Sequence, residues 1–391
     1  MTDRRRQLII LAIALVLAMS PWFSTAAVLG QLRGRWDLSS AAASWLTIAV
    51  QIGFVIGAVL SSVVGLADRL APRRLILYGS ALAALANASI VVTDAFGPAL
   101  IARLVTGAAL AGVYPPALKA MSSWFVTGRG LALGIMIGAL TVGSALPHLL
   151  NSLGEWSWQP LMLVVSGLTL LGGALADRFG KDGPHSAKAA TFDRSQVGVI
   201  LRDRGFRLAS LGYFGHMWEL YAMWAWIAAF YGDAFESPRR ASLAAFAVIG
   251  IGAAGSIHAG RRSDSVGRPQ AAAQALRWSG AAACITGFLV GAPAIVVLAA
   301  GLVWGFWVVA DSAQFSAIVT EVVDPRYVGT ALTMQLAAGF TLTVFTIFLV
   351  PVVRDATSWG WAFLLLAPGP LVGLLAMESL RRRPDSPATP S

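Results

Sequence analysis

Twelve apolar runs of roughly membrane-crossing length leave few folds open to this sequence: 8–32, 41–64, 74–93, 98–118, 131–153 and 159–176, then 207–231, 241–259, 271–291, 295–320, 330–351 and 359–378. Backbone buried in lipid must satisfy its own N–H and C=O groups, so a continuous apolar run of about 20 residues reads as a helix, whereas the strands of a barrel alternate and need only about 10. Composition agrees with helices in lipid. Of the 391 residues, 57% are hydrophobic and 12% charged, against about 25% charged in soluble domains. The expected fold class is all-α integral membrane, with twelve transmembrane helices.

A single long polar interval, Asp177 to Arg207, separates six runs from six. It is net basic and punctuated by Gly, Pro and Ser, which suits a connector better than a core. The expected organisation is therefore a six-helix bundle over 1–176, a linker over 177–206, a second six-helix bundle over 207–380 and a tail over 381–391. Alternate loops hold twenty-two Lys and Arg residues on the side of the termini and linker against five on the other. By the positive-inside rule both termini and the linker are cytoplasmic. The apolar run after MTDRRR continues through Pro21 to Leu32, longer than the core of a cleaved signal peptide, and reads as an uncleaved first span. Arg outnumbers Lys by 26 to 3, a usage that points to a genome rich in G and C and so to a bacterial inner membrane.

Several function classes find no support. One cysteine, Cys284, allows no internal disulfide and no cysteine-ligated metal. His148, His185, His216 and His258 show no ligand spacing, so neither metal nor cofactor is expected. Basic residues scattered over short loops do not make a nucleic-acid patch. The chain has no phosphate-binding Gly-x-x-x-x-Gly-Lys-Ser/Thr loop, and Gly250, Gly252 and Gly255, spaced like a dinucleotide fingerprint, fall inside span eight with no strand before them. No catalytic arrangement is legible, and the chain is not expected to be an enzyme. The expected partners are a small solute, a proton or other coupling ion and the bilayer, with the protein a monomer.

The halves echo one another. VGLADRLAPRR, centred on Asp68, follows span two, and GRRSDSVGRP, centred on Asp264, follows span eight. Spans six and twelve both open on Trp-x-Trp, at Trp156 to Trp158 and Trp359 to Trp361. On these residues the chain resembles the major facilitator superfamily. Gly260, Asp264, Gly267 and Arg268 match its signature loop, while the first copy keeps Asp68, Arg69, Arg73 and Arg74 but has Val64, Ala71 and Pro72 where the family usually has Gly, Gly and Arg. The string GALADRFGK, Gly173 to Lys181, fits the same consensus after span six, where the family does not place it. The resemblance implies two bundles related by a pseudo-two-fold axis, alternating access, and a conformational gating role for the eight signature residues.

Charges at membrane depth are candidate functional groups. Arg103, Glu219, Arg277 and Asp311 qualify, with snorkelling to the headgroups the competing reading for the two arginines. Arg103 to Gly107 resembles the family's fourth-span pattern, with Thr106 in place of a frequent Gln. Spans one, four, seven and ten line the cavity in that family, which implies substrate-binding roles for Trp22, Thr25, Arg103, Tyr114, Trp224, Trp304, Trp307 and Gln314. For the tryptophans, packing and interfacial anchoring compete with that role.

Glu219 near the midplane shares a helical face with Tyr213, His216, Met223 and Trp226. A carboxyl whose hydration changes with access can load a proton on one side and release it on the other. Glu219 is expected to be the main proton-coupling group, His216 its assistant or merely its hydrogen-bond partner, and Asp311 the second choice. The loop from Trp124-Phe125 to Arg129-Gly130-Leu-Ala-Leu-Gly134 is similar to that of carboxylate and nitrate carriers, and the fifth-span Gly-Pro pair of drug/proton antiporters is missing despite Gly138, Gly143 and Pro147. The expected function is proton-coupled transport of a small organic anion. Proton-driven efflux of a drug or metabolite is the alternative, and a non-transporting membrane sensor a remote one.

Overall fold

The computed structural model describes residues 3–125, 127–154, 156–185 and 194–382, without the side chains of residues 67, 68 and 194. The expected gating role of Asp68 therefore falls outside the described residues. The principal helices in chain order are α1 (Asp3–Ala18), α2 (Ser40–Val64), α3 (Pro72–Val92), α4 (Phe96–Ser122), α5 (Arg129–Ser152) and α6 (Trp158–Phe179). After the linker come α7 (Arg204–Ala234), α8 (Pro238–Val266), α9 (Arg268–Thr286), α10 (Ala294–Val322), α11 (Val328–Ala356) and α12 (Trp359–Arg381). Among the described residues, nine helices, all but α1, α7 and α9, are long and apolar enough to cross a membrane.

The three exceptions have separate causes. α1 stops after 16 residues because Pro21 cannot donate to the helical ladder, and the chain resumes as two short helices, Ser24–Ala27 and Leu29–Trp36. The expected continuous span 8–32 is thus broken near its middle. α7 runs 31 residues but carries His216, Glu219 and a dense set of Trp and Tyr, which lower its hydropathy. α9 starts at Arg268, earlier than expected, and includes Arg277. Breaks also fall within α4 at Ala111–Val113, ahead of Pro115 and Pro116, and within α10 at Asp311.

α2 packs on α4, α3 on α6, and α1 on α5 and α6; in the second half α7 packs on α11 and α12, and α9 on α10 and α12. The halves meet along α2 with α11 and along α5 with α8. Between α5 and α8 the backbones nearly touch: a Cβ on Gly130 would lie 2.7 Å from the Gly260 carbonyl and 2.8 Å from Asp264 Oδ1. Any larger residue there would force the helices apart. Ser256 Oγ donates to the Gly134 carbonyl at 2.9 Å across the same seam, and Asn151 Nδ2 donates to Ser242 Oγ at 2.8 Å near its other end.

Candidate functional site

A cavity of about 390 Å³ lies between the halves, lined from α2, α4, α5, α7, α10 and α11. It occupies the end of the molecule that carries the chain termini, since its wall includes Ser61, Ser62 and Gly65 at the close of α2, Lys119 at the close of α4, and Leu332 and Thr333 at the start of α11. Toward the far end the wall becomes aromatic. Trp22 lies against Phe54, Tyr221 and Phe340 with ring centroids 4.9, 5.7 and 5.9 Å apart, and Phe23 meets Trp224 edge-on at 5.7 Å. These rings come from both halves, and each such pair adds about 0.5–1.5 kcal/mol beyond its buried area. The layer closes the cavity on that side.

Two sets of titratable groups lie in the second half. His216, on the cavity wall, places Nδ1 2.8 Å from Asp311 Oδ1, and its Nε2 is 3.0 Å from Ser312 Oγ. Asp311 stands at the break in α10, with its carboxylate turned to the imidazole rather than to the N–H groups of the helix that follows. One turn further along α7, Glu219 turns into the second half. Trp304 Nε1 donates to its Oε1 at 2.6 Å and Ser279 Oγ to its Oε2 at 2.9 Å. Glu219 is 1% exposed and does not border the cavity. The expected pairing of His216 with Glu219 is thus replaced by a pairing with Asp311.

Arg103 is fully buried, on neither a headgroup nor the cavity. Its Nε donates to the Leu46 carbonyl at 3.0 Å, Nη2 to the Trp22 carbonyl at 2.6 Å, and Nη1 to the Pro21 carbonyl, Ser24 Oγ and Asn87 Oδ1 at 2.8, 3.2 and 3.1 Å. The break in α1 leaves the Pro21 and Trp22 carbonyls for the five-donor guanidinium fork, which also reaches the Leu46 carbonyl inside α2. Expected as a solute contact, Arg103 instead fixes the bend that presents Trp22 and Phe23. Among the described residues no carboxylate pairs with it.

Of the other expected solute contacts, Tyr114 and Trp224 border the cavity. Trp22 backs its aromatic wall, while Thr25 is fully buried beyond it. Trp304 is engaged by Glu219, and Trp307 stacks on Trp278 at 6.4 Å, away from the cavity. Gln314 is buried but off the wall, because the break at Asp311 resets the phase of α10 and turns Ser312 and Ser316 inward instead. Lys119, Ser312, Tyr221 and Gln335 line the cavity and were not singled out from the sequence. Lys119 lies just past the expected fourth run, 98–118, but belongs to the same helix as Tyr114.

The expected gating residues fall at contacts between helix ends. Asp264 lies against the first turn of α5 at Gly130. Gly267 joins α8 to α9 at φ 84°, a conformation that favours glycine. Arg268 pairs with Glu321 of α10, and Arg74 Nε lies 3.3 Å from Asp177 Oδ1 of α6. Asp177 belongs to the third signature-like string, so that string serves α3 rather than a gate of its own. Arg69 and Arg73 are exposed. Arg277, read as a snorkelling residue, is largely exposed with Nη2 3.5 Å from Glu378 Oε1 of α12.

The Major Facilitator Superfamily profile matches residues 11–310. The chain belongs to that superfamily. The superfamily consists of transport proteins rather than enzymes, and this member is a multi-pass membrane protein. Curated relatives include a fujikurins efflux protein of Gibberella fujikuroi, 30% identical over 139 residues that make up 35% of this chain and 29% of that protein. A monocarboxylate transporter 13 of Rattus norvegicus is 29% identical over 175 residues, 40% of this chain and 39% of that one. The matched stretches thus span less than half of either relative. Solved structures with the same fold include a proton:xylose symporter bound to 6-bromo-6-deoxy-D-glucose, at TM-score 0.75 and 14% identity over 96% of this chain and 95% of that chain. The human organic anion transporter MFSD10 aligns at TM-score 0.72 and 14% identity, over 96% of this chain and all of the other.

Proposed function

We propose that this chain is a proton-coupled secondary transporter of a small organic anion, working by alternating access between two six-helix bundles of a twelve-span protein. Both termini then face the cytoplasm of a bacterial cell, and the cavity as it stands is open toward that side. The observation that carries the reading is the cavity between the halves with a buried imidazole–carboxylate pair, His216 and Asp311, on its wall. Such a pair exchanges a proton with the cavity while keeping its net charge low. Tyr114 and Trp224 contact the solute, Lys119 adds a cationic group to the wall, and Arg103 leaves positive charge behind the aromatic layer with no carboxylate among the described residues to cancel it. Asp264, Gly267 and Arg268 tune the balance between conformations from the helix ends.

Efflux of an apolar metabolite is the second reading, favoured by the lining residues Met217, Leu220 and Phe340 and by the similarity to a fungal efflux protein. Proteoliposomes with an imposed proton gradient distinguish the two. Radiolabelled benzoate or lactate should accumulate on the side to which protons flow, and a protonophore should abolish the accumulation. Gradient-driven export of ethidium, with neither acid moved, would replace the first reading by the second.

A further inference from the structure

The helical stripes that line the cavity do not stop at the aromatic layer. On α2 the lining positions Ala58, Ser61 and Gly65 continue backward through Phe54 to Gln51, at spacings of three and four. On α5 the lining positions Ile137 and Thr141 continue to Ser144 and His148 at the same spacings. Thr25 follows Trp22 by three residues, on the short helix Ser24–Ala27, which packs against α2, α5 and α7. Asn151, one turn beyond His148, donates to the Ala27 carbonyl at 2.9 Å and fixes this part of α5 beside that helix.

Thr25, Gln51, Ser144 and His148 are each at most 1% exposed. Among the described residues none of their side-chain polar atoms finds a partner: Thr25 Oγ1, both ends of the Gln51 amide, Ser144 Oγ and both ring nitrogens of His148. The indole N–H groups of Trp22 and Trp224 are in the same condition. Buried polar groups are costly unless hydrogen-bonded. A cluster of orphans on three converging stripes points to a molecule that satisfies them in another conformation.

We infer that Thr25, Gln51, Ser144 and His148, with the two indole N–H groups, form a second binding site beyond the aromatic layer, for the carboxyl group of a small organic acid that travels with a proton. The inference rests on the reading of the solute as an organic anion. The site offers neutral donors and acceptors, and a bare carboxylate in such a place lacks a counter-ion. Arg103 is a fixed cation of the same half, but its donors are taken by the carbonyls of Pro21 and Trp22. His148 supplies what is missing. With the proton on the ring or on the acid, the pair is net neutral, and both ring nitrogens are available to hold it.

The elements packed on α5 bring no other titratable group to this stretch among the described residues. The Ser24–Ala27 helix has none, and the first half of α8 has only Arg239 and Arg240, exposed at its start. Asp3 to Arg6 of α1, Arg129 at the start of α5, Asp177 and Arg178 of α6, His258, Arg261, Arg262 and Asp264 of α8, and Glu321 of α10 lie toward the end that carries the termini, and Asp311 of α10 is paired with His216 on the cavity wall. Tyr114 and Lys119 of α4 line the cavity on the near side of the layer, and Tyr221 forms part of the layer itself.

Single cysteines at Ser144 and at Gln51, in a Cys284→Ala background, test the site in oriented proteoliposomes. A membrane-impermeant maleimide applied from the side opposite the termini should label both, and saturating benzoate at acidic pH should slow labelling about tenfold by occupying the site, while benzamide should not. In the same background His148→Gln should keep the labelling and lose the pH dependence of the protection. Absence of labelling in monodisperse protein at both positions, or labelling that benzoate does not slow, would overturn the site. Protection without proton-driven accumulation of benzoate would remove the transport reading and leave the site; accumulation without protection would do the reverse.

Discussion

The two halves of the molecule bury charge in different ways. In the first half, among the described residues, Arg103 keeps its charge and is solvated by dipoles: three backbone carbonyls, one hydroxyl and one amide oxygen hold it in a single geometry. In the second half the buried acids keep options. Glu219 accepts from two neutral donors and Asp311 faces an imidazole, and both acids can exist with or without a proton. Arginine cannot give up its proton at any ordinary pH. The difference assigns a fixed positive charge and rigidity to the bend at Arg103 in the first half, and exchangeable protons to the acids buried in the second.

The largest effect that would test this contrast comes from Arg103→Ala. Truncation removes the guanidinium donors from the carbonyls of Pro21, Trp22 and Leu46 and leaves a cavity in the core, where a hydrogen bond to a charged group is worth about 1.5–3 kcal/mol. Loss of folded protein or a large fall in melting temperature is expected, and Arg103→Lys should recover part of it, since an ammonium reaches fewer of the acceptors. A variant that folds normally and loses only its affinity for benzoate would show that the guanidinium meets solute after all, and the contrast would collapse.

The second prediction separates the two acids. Asp311→Asn removes the partner of His216 on the cavity wall and should abolish proton-driven accumulation of benzoate while benzoate-for-benzoate exchange continues. Glu219→Gln keeps an acceptor for Trp304 and sits off the wall, so accumulation should survive at a reduced rate. The opposite pattern in the same proteoliposome assay would return coupling to Glu219.

That revision marks where the sequence stops being informative. The apolar runs expose the all-α, multi-span character of the chain, because lipid imposes a length and a polarity on every span. They also single out Arg103, Glu219, His216 and Asp311, since charge at membrane depth is rare. What each charge touches depends on where helices break. Pro21 announces the break in α1, but nothing in the sequence says that Arg103 closes it. The break at Asp311 carries no proline or glycine, so the stripe of Trp304, Trp307, Asp311 and Gln314 looks continuous until α10 changes phase. Lys119, Gln51 and His148 escape notice for another reason. Each is polar at an unremarkable spacing, and only the convergence of α2, α4 and α5 with the second half shows which face is turned inward.

The smallest expected effect lies at the seam where the halves meet. Asp264 closes α8 with its carboxylate over the first turn of α5, at Gly130, where unpaired N–H groups and the helix dipole favour negative charge. Such a contact exists only while α5 and α8 stay close at this end. Its removal should therefore bias the protein toward the conformation in which they separate. At an exposed helix end the interaction is worth about 0.3–1 kcal/mol, at most a roughly fivefold shift in a two-state equilibrium. Asp264→Asn should accordingly change the transport rate by no more than that factor and leave benzoate binding intact. Raising the ionic strength should mimic the substitution in the unaltered protein, because salt screens an exposed charge. A rate unaffected by both would mean that the close packing of Gly130 and Gly260 holds the seam without help from the carboxylate. A loss of binding would place Asp264 in the solute path and join the two halves through solute rather than through helix ends.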